Sequence, residues 1–106
     1  MHSFEYHAPS TLPEALAILA DYGGAARALA GGTDLLLKLK AGRLAPPAVV
    51  NIKRVPQLHS QVINSHIILG ALTTLSDLHA SPTIRSRLPA LAVAAGTMAS
   101  GQIRNL

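Results

Sequence analysis

A pair of glycines between two apolar runs is the strongest candidate for binding chemistry in this sequence. Residues 29–36 have the pattern of a strand end, a tight Gly31-Gly32 turn and a helix start. Such a turn exposes backbone N–H groups, and the helix start adds positive potential, so the segment can hold a phosphate. Thr33 can add its hydroxyl to the phosphate or cap the helix with it. The alternative is purely structural, because a tight strand-to-helix turn needs glycine for its geometry alone.

The titratable side chains predict neither a catalytic residue nor a metal site. Of the five acids, Glu14 is expected in a capping box with Thr11, Asp77 in a first helical turn and Asp21 on an exposed helix face. The five histidines show no spacing of three or four residues, which a metal site on one helix needs. Cysteine is absent, which excludes disulfides and thiolate ligands and suits a cytoplasmic protein.

Alternating strands and helices must position the glycine segment in the first half of the chain. Apolar spacing and turn residues predict strands over residues 4–7, 27–30 and 48–52, and helices over 12–22 and 35–41. The flanking glycines favour a buried strand for residues 27–30. A β-α-β-α-β order implies crossover connections, so the sequence predicts a small parallel sheet.

The second half has a different pattern. Residues 61–64 and 66–70 predict a hairpin around Asn64-Ser65. Thr73 or Thr74 is expected to cap a short helix, and Ser81 to cap another that begins at Pro82. A last helix over residues 90–99, ended by Gly101, is apolar all round and therefore expected to be buried. The change of pattern predicts two subdomains, residues 1–56 and 57–106.

The composition describes a small folded chain and excludes several classes of protein. The chain has 106 residues, of which 49% are hydrophobic and 13% charged, so it can form a core. No apolar run approaches a membrane span, and the N-terminus lacks the pattern of a signal peptide. The net charge of +4 is scattered and aromatics are only 3%, so nucleic-acid binding is not expected.

Several short motifs occur in an order that resembles one family. They are Phe4-x-Tyr6-x-x-Pro9, Leu12-x-Glu14-Ala15, Leu29-Ala30-Gly31-Gly32-Thr33-Asp34-Leu35-Leu36, Lys40-x-Gly42, Pro47-x-x-Val50-Asn51-Ile52, Leu69-Gly70-Ala71-Leu72-Thr73-Thr74 and Gln102-Ile103-Arg104-Asn105. Over its whole length the chain resembles the FAD-binding (medium) subunit of the molybdenum hydroxylases, such as carbon monoxide dehydrogenase and xanthine dehydrogenase. Asn51 stands where that family often has Asp.

The resemblance implies a fold, a cofactor and partners. The fold is α+β, a small parallel subdomain followed by the start of an antiparallel sheet with helices, and FAD lies between the two. An iron–sulfur small subunit and a molybdopterin-binding large subunit complete the complex, and the flavin passes electrons from the iron–sulfur clusters to an acceptor. Carried over to this chain, the contacts with the FAD pyrophosphate come from Leu29, Ala30, Gly31, Gly32, Thr33, Asp34, Leu35 and Leu36, mainly through backbone amides. Asp34 is then a first-turn residue, since a carboxylate on a phosphate would repel it.

Members of that family continue past Arg-Asn into a second glycine-rich loop, typically Thr-Ile-Gly-Gly-Asn, which this sequence does not reach. The expectation is therefore a half-built cofactor site, in a truncated gene product, an expressed fragment or a protein completed by another chain. Two alternatives to an FAD-binding enzyme component stay open. One is a non-catalytic fragment that does not bind FAD by itself, and the other is a small basic nucleic-acid or adaptor module.

Overall fold

The computed structural model describes residues 3–59 and 61–98. The chain divides into two compact units, Met1–Leu58 and His59–Leu106. The expected end of the last helix at residues 99–101 lies outside the described residues. The first unit carries the parallel sheet and the glycine segment, and the second carries a hairpin and three short helices.

The first unit confirms the predicted β-α-β-α-β order. Its elements are β1 (Glu5–His7), α1 (Leu12–Asp21), β2 (Arg27–Leu29), α2 (Thr33–Lys40) and β3 (Ala48–Asn51). The three strands are parallel in the order β1-β3-β2. Tyr6 lies opposite Val49, and Leu29 lies opposite Asn51. Parallel neighbours cannot be joined by tight turns, so α1 and α2 provide the crossovers.

Helix α1 begins and ends at the residues whose chemistry predicted it. The Thr11 hydroxyl accepts a hydrogen bond from the Glu14 N–H at 3.3 Å, and Pro13 lies in the first turn. The reciprocal bond of a full capping box, from the Thr11 N–H to the Glu14 carboxylate, is not formed among the described residues. After the helix, Gly23 and Gly24 have φ of +57° and +88°, the left-handed conformation that ends helices and favours glycine.

Strand β2 is an exposed edge strand, so the prediction that residues 27–30 form a buried strand was wrong. Arg27 and Ala28 are exposed and Leu29 is half-buried. In contrast, Ala48, Val49 and Val50 of β3 are almost fully buried. The reason is the strand order, because only β3 has a neighbour on both sides.

The core of the first unit is built from small aliphatic side chains. Ala26, Ala48 and Val50 form one buried cluster, against which α1 packs. Its partly buried members are Ile18, Leu19, Tyr22 and Ile52. Leu39 of α2 is also buried, with 1% of its surface exposed.

The second unit contains the predicted hairpin, followed by three helices. Its elements are β4 (Gln61–Ile63), β5 (Ile67–Leu69), α3 (Leu75–Ala80), α4 (Pro82–Arg87) and α5 (Pro89–Thr97), preceded by a 3-10 turn at Pro56–His59. The two strands are antiparallel. Thr74, not Thr73, caps α3, since its hydroxyl accepts from the Asp77 N–H at 3.1 Å. Ser81 caps α4 through the Ile84 N–H, as predicted.

Helix α5 is buried on one side only, which corrects the expectation that it is buried all round. Ala92 and Ala95 pack with Leu78 and Ile84 in the core of this unit. Val93, in contrast, is 64% exposed. In the described part of the chain α5 packs mainly on α3 and α4, so the Val93 side has no cover there.

Two leucines of α2 provide a matched test of this packing. We expect Leu39→Ala to lower the free energy of unfolding by about 2–4 kcal/mol, because it deletes a fully buried side chain and leaves a cavity. Leu37→Ala, on the same helix but 65% exposed, should change it by less than about 0.5 kcal/mol. Urea unfolding followed by far-UV circular dichroism measures both values. Equal losses for the two variants would contradict the described packing of α2.

Candidate functional site

The glycine segment, residues 29–36, lies at the carboxyl ends of the parallel strands. β2 ends at Leu29, opposite the last residue of β3, Asn51, and β1 ends at His7, opposite Val50. The three strand ends therefore share one edge of the sheet. In open parallel sheets ligands bind at this edge, outside the strand ends.

Backbone N–H groups without an acceptor mark the start of α2. The helix begins at Thr33, two residues earlier than the sequence predicted, and Gly32 is its N-cap residue. The first hydrogen bond of the helix runs from the Leu36 N–H to the Gly32 carbonyl at 2.9 Å. The N–H groups of Thr33, Asp34 and Leu35 have no acceptor among residues 3–59 and 61–98. These three donors, at the positive end of the helix dipole, form an arrangement that attracts anions.

Gly32 is required by its backbone conformation. Its φ is +89°, in the left-handed region, and no side chain caps the helix, so Thr33 does not have the capping role that the sequence left open. A Cβ built on Gly32 would lie 3.1 Å from Leu29 Cδ1 and 3.2 Å from Leu36 Cδ1. The structure therefore gives two reasons for a glycine here, the positive φ and the contact of an added Cβ with side chains of the segment itself.

The start of the glycine segment is held by residues at the end of β3 and directly after it. The Ile52 N–H donates to the Leu29 carbonyl at 3.1 Å. Beside it, the Asn51 side-chain N–H donates to the Tyr6 hydroxyl at 2.7 Å, and the Asn51 side-chain oxygen accepts from the Lys53 N–H at 3.0 Å. Sequence reasoning did not assign Tyr6 or Asn51 to the site. The one signal in the sequence was an amide side chain near the end of a predicted strand.

The side chains of the segment differ in exposure. Thr33, Asp34 and Leu36 are exposed, while the other five predicted site residues are half-buried: Leu29, Ala30, Gly31, Gly32 and Leu35. The Asp34 carboxylate is the only charged group among the eight. A bound anion would therefore be held by backbone N–H groups and helix polarity, without a cationic side chain from this segment.

A second polar cluster joins β1 to the end of α1. The Tyr22 hydroxyl donates to Glu5 Oε2 at 2.6 Å, and His7 Nε2 lies 3.3 Å from that hydroxyl. The hydrogen bond from Tyr22 lowers the pKa of the Glu5 carboxyl. The same bond raises the pKa of the Tyr22 hydroxyl, because the carboxylate favours the protonated phenol. Glu5 is exposed, so the cluster is a surface contact between two elements.

Neither a metal site nor a membrane-spanning helix is found among the described residues. Among residues 3–59 and 61–98 there is no group of three or more His, Asp or Glu that could hold a metal ion. In the same part of the chain, no helix is long and apolar enough to cross a membrane. The described part of the first unit is a small parallel α/β fold with three backbone donors at the carboxyl edge of its sheet, an arrangement that attracts anions.

Comparison with known proteins gives the family. Residues 2–106 match the family described as the FAD binding domain in molybdopterin dehydrogenase, and the chain belongs to it. The carbon monoxide dehydrogenase medium chain of Hydrogenophaga pseudoflava is 42% identical over 103 residues, which are 96% of this chain and 36% of that protein. The nicotinate dehydrogenase FAD-subunit of Eubacterium barkeri is 40% identical over 108 residues, 100% of this chain and 36% of the relative.

Solved structures agree with this assignment. Carbon monoxide dehydrogenase from Hydrogenophaga pseudoflava, in a form lacking the Mo-pyranopterin moiety, superposes with a TM-score of 0.89 at 41% identity, over 96% of this chain and 36% of its own. Quinoline 2-oxidoreductase from Pseudomonas putida 86 gives 0.89 at 30% identity, with 97% and 36% covered. The predicted family, fold class and cofactor, FAD, are thereby confirmed. The chain spans about a third of the length of these relatives.

Gly24 and Gly32 have almost the same φ. Replacing each of them with alanine therefore separates the stability cost of the backbone conformation from the cost of side-chain contacts. Gly24 has φ +88° with no atom near an added Cβ, whereas Gly32 has φ +89° with Leu29 and Leu36 close to it. We expect Gly24→Ala to cost about 1 kcal/mol of stability, from the left-handed backbone alone. Gly32→Ala should cost roughly 1 kcal/mol more, because the two leucines must move. Urea unfolding gives both values, and a smaller loss for Gly32→Ala would contradict the described packing.

The Glu5–Tyr22 contact predicts a change in one pKa. Tyr22→Phe removes the donor, so the pKa of Glu5 should rise toward the ordinary value of an exposed glutamate. Tyr6→Phe is the matched control, because the Tyr6 hydroxyl pairs with Asn51, and should leave the pKa of Glu5 unchanged. Carboxyl ¹³C NMR titration measures the pKa of Glu5 in both variants. An unchanged Glu5 pKa in Tyr22→Phe would exclude the hydrogen bond as its cause.

The signs of the two shifts also predict the pH dependence of stability. The lowered pKa of Glu5 gives a contribution that is present above the unfolded-state pKa and is lost as the pH falls through the folded-state pKa. The raised pKa of Tyr22 gives a contribution to stability that is present below the unfolded-state pKa and is lost as the pH rises through the folded-state pKa. Tyr22→Phe should remove the contribution of Tyr22 from the pH profile of the unfolding midpoint and weaken that of Glu5, whose pKa His7 also lowers.

Proposed function

We propose that this chain supplies the pyrophosphate-binding part of the FAD site in a molybdenum-containing dehydrogenase or hydroxylase. The observation that carries the proposal is the set of N–H groups of Thr33, Asp34 and Leu35. They have no acceptor among the described residues and lie at the carboxyl edge of a parallel sheet. A pyrophosphate needs several donors close together, and a helix start supplies them with favourable polarity.

The proposed roles of the eight segment residues follow from their places. Leu29 anchors the segment to the sheet, through the bond from the Ile52 N–H. Ala30, Gly31 and Gly32 form the turn that brings the backbone to the phosphates. Thr33, Asp34 and Leu35 donate their N–H groups. Leu36 makes the first bond of the helix and contributes an exposed apolar side chain at its start.

The chemistry of the reaction would come from the flavin when it is bound, because that ring accepts and donates electrons. The residues of this chain would bind and orient the cofactor. The eight residues of the segment include no base or acid except Asp34, whose carboxylate carries the same sign of charge as a phosphate. We therefore assign Asp34 a role through its backbone N–H and not through its side chain.

The partners and the direction of electron flow are inferred from the family. The relatives are described as a medium chain, a FAD-subunit and a subunit of a dehydrogenase complex. By analogy with them, the complete subunit would meet an iron–sulfur small subunit and a molybdopterin-binding large subunit. It would pass electrons from the iron–sulfur clusters through FAD to an acceptor, and we expect the complex to be cytoplasmic.

A second candidate function follows from the length of the match. Because the chain covers 36% of its relatives, the remaining contacts to FAD can lie in the part that it does not cover. In that case the chain binds the pyrophosphate weakly and does not retain FAD by itself.

Binding of three related ligands to the purified chain distinguishes these functions. FAD and ADP both contain a pyrophosphate, whereas adenosine has none, so the proposal predicts that the first two bind and adenosine does not. Isothermal titration gives the affinities, and amide chemical shifts of residues 30–36 give the place. Equal binding of adenosine and ADP would contradict a pyrophosphate site. Binding of ADP without retention of FAD on gel filtration would support the second function.

One backbone donor can be removed with a matched control. Asp34→Pro deletes the N–H, and proline is tolerated at this position of a first turn, as Pro13 of α1 shows. Asp34→Ala deletes the same carboxylate but keeps the N–H. We expect Asp34→Pro to bind ADP about tenfold more weakly than Asp34→Ala, the value of one hydrogen bond to a charged group. Titration of ADP into both variants measures this. Equal affinities at equal folded content would exclude the Asp34 N–H as a donor.

A further inference from the structure

A cavity in the second unit lies apart in sequence from the glycine segment and has no part in the proposed function. Its volume is about 370 Å³. It opens between the end of α3, the middle of α4 and the first two turns of α5. Its walls are His79, Arg85, Pro89, Ala92 and Val93. Small-molecule sites have volumes of a few hundred Å³ and mostly apolar walls with few polar groups, which describes this cavity.

Arg85 gives the cavity a cation that makes one hydrogen bond within the described part of the chain. Its Nε donates to the His79 carbonyl at 2.7 Å, which holds the guanidinium at the wall. The two terminal amino groups have no acceptor in the described part of the chain, and no carboxylate there forms an ion pair with them. Residues 59–106 contain a single acid, Asp77. A guanidinium presents two parallel donors that match the two oxygens of a carboxylate.

The imidazole of His79, another lining residue, is also held in place. Its Nδ1 lies 3.0 Å from the Ala92 carbonyl, and because a carbonyl only accepts, Nδ1 carries the hydrogen. A Cβ built on Gly96 would fall on the imidazole ring, so this glycine provides the space that the ring occupies. The polar walls of the cavity are therefore positioned before any ligand arrives, which reduces the entropy cost of binding.

The remaining wall is apolar and partly open to solvent. It is formed by Pro89, Ala92 and Val93 of α5, of which Ala92 is buried and Val93 is 64% exposed although it is a large aliphatic side chain. An apolar group placed against this wall would remove hydrophobic surface from water. The cavity thus combines an apolar wall with a guanidinium whose terminal amino groups have no acceptor in the described residues.

We infer that this cavity binds a small organic carboxylate with an apolar body. The carboxylate pairs with the terminal amino groups of Arg85, and the apolar body lies against Pro89, Ala92 and Val93. The ligand class follows from the apolar wall together with a guanidinium that has no carboxylate partner among residues 3–59 and 61–98, since a simple inorganic anion would leave that wall exposed.

The test uses 4-phenylbutyrate as the probe and 4-phenylbutyramide as its uncharged counterpart, added to the purified 106-residue chain without FAD. Amide chemical shifts of Ala92 and Val93 report the place of binding, and the titration curve gives Kd. We expect the carboxylate to bind at least about tenfold more tightly than the amide, the value of a charge-assisted pair. Arg85→Gln should remove this preference, while Arg43→Gln, an exposed arginine of the first unit, should leave it unchanged.

A second variant keeps the inference testable if Arg85→Gln does not fold. Val93→Glu changes an exposed position, so the fold should persist, and the new carboxylate competes for Arg85 and should abolish binding of the probe. Three results would overturn the inference. They are equal affinities for the carboxylate and the amide, displacement of the probe by equimolar inorganic phosphate, and no shift at Ala92 or Val93 up to about 10 mM probe.

Discussion

Parallel pairing of β3 with both neighbours is the constraint on which the first unit depends. It buries Ala48, Val49 and Val50, and it brings the carboxyl ends of all three strands to one edge. Parallel pairing also requires the crossovers, so α2 must start directly after β2 at that same edge. The N–H groups at the start of α2, which have no acceptor within the described residues, are therefore a consequence of the sheet topology and not of any single side chain.

Because the proposed site is made of backbone groups, the segment needs few ionisable side chains. The N–H groups of Thr33, Asp34 and Leu35 are positioned by the conformation of Gly32 and by the bond from Ile52 to Leu29. Substitutions that preserve the backbone conformation should leave these N–H groups in place. This agrees with a family whose cofactor performs the redox chemistry while the protein holds and orients it.

The second unit is organised around close packing of small residues. Ala92, Ala95 and Gly96 let α5 approach α3, and His79 occupies the space that Gly96 leaves. The same arrangement leaves Val93 on the outside, beside a guanidinium without a carboxylate partner in the described residues. The packing of three short helices thus brings an exposed apolar wall next to this cation, a combination that sequence patterns do not reveal.

The sequence by itself determined the local elements, because their causes lie within a few residues. Thr11, Gly23 and Ser81 predicted helix ends, the β-α-β-α-β order predicted a parallel sheet, and the glycine segment pointed to an anion site and, with the other motifs, to the family. The tertiary structure alone decided the strand order, which turned residues 27–30 from a predicted buried strand into an exposed edge.

Tertiary structure also decided the Tyr6–Asn51 hydrogen bond, the one-sided burial of α5 and the cavity at Arg85. Each of these depends on contacts between residues that are distant along the chain. Propensity, capping and periodicity act between near neighbours and carry no information about such contacts.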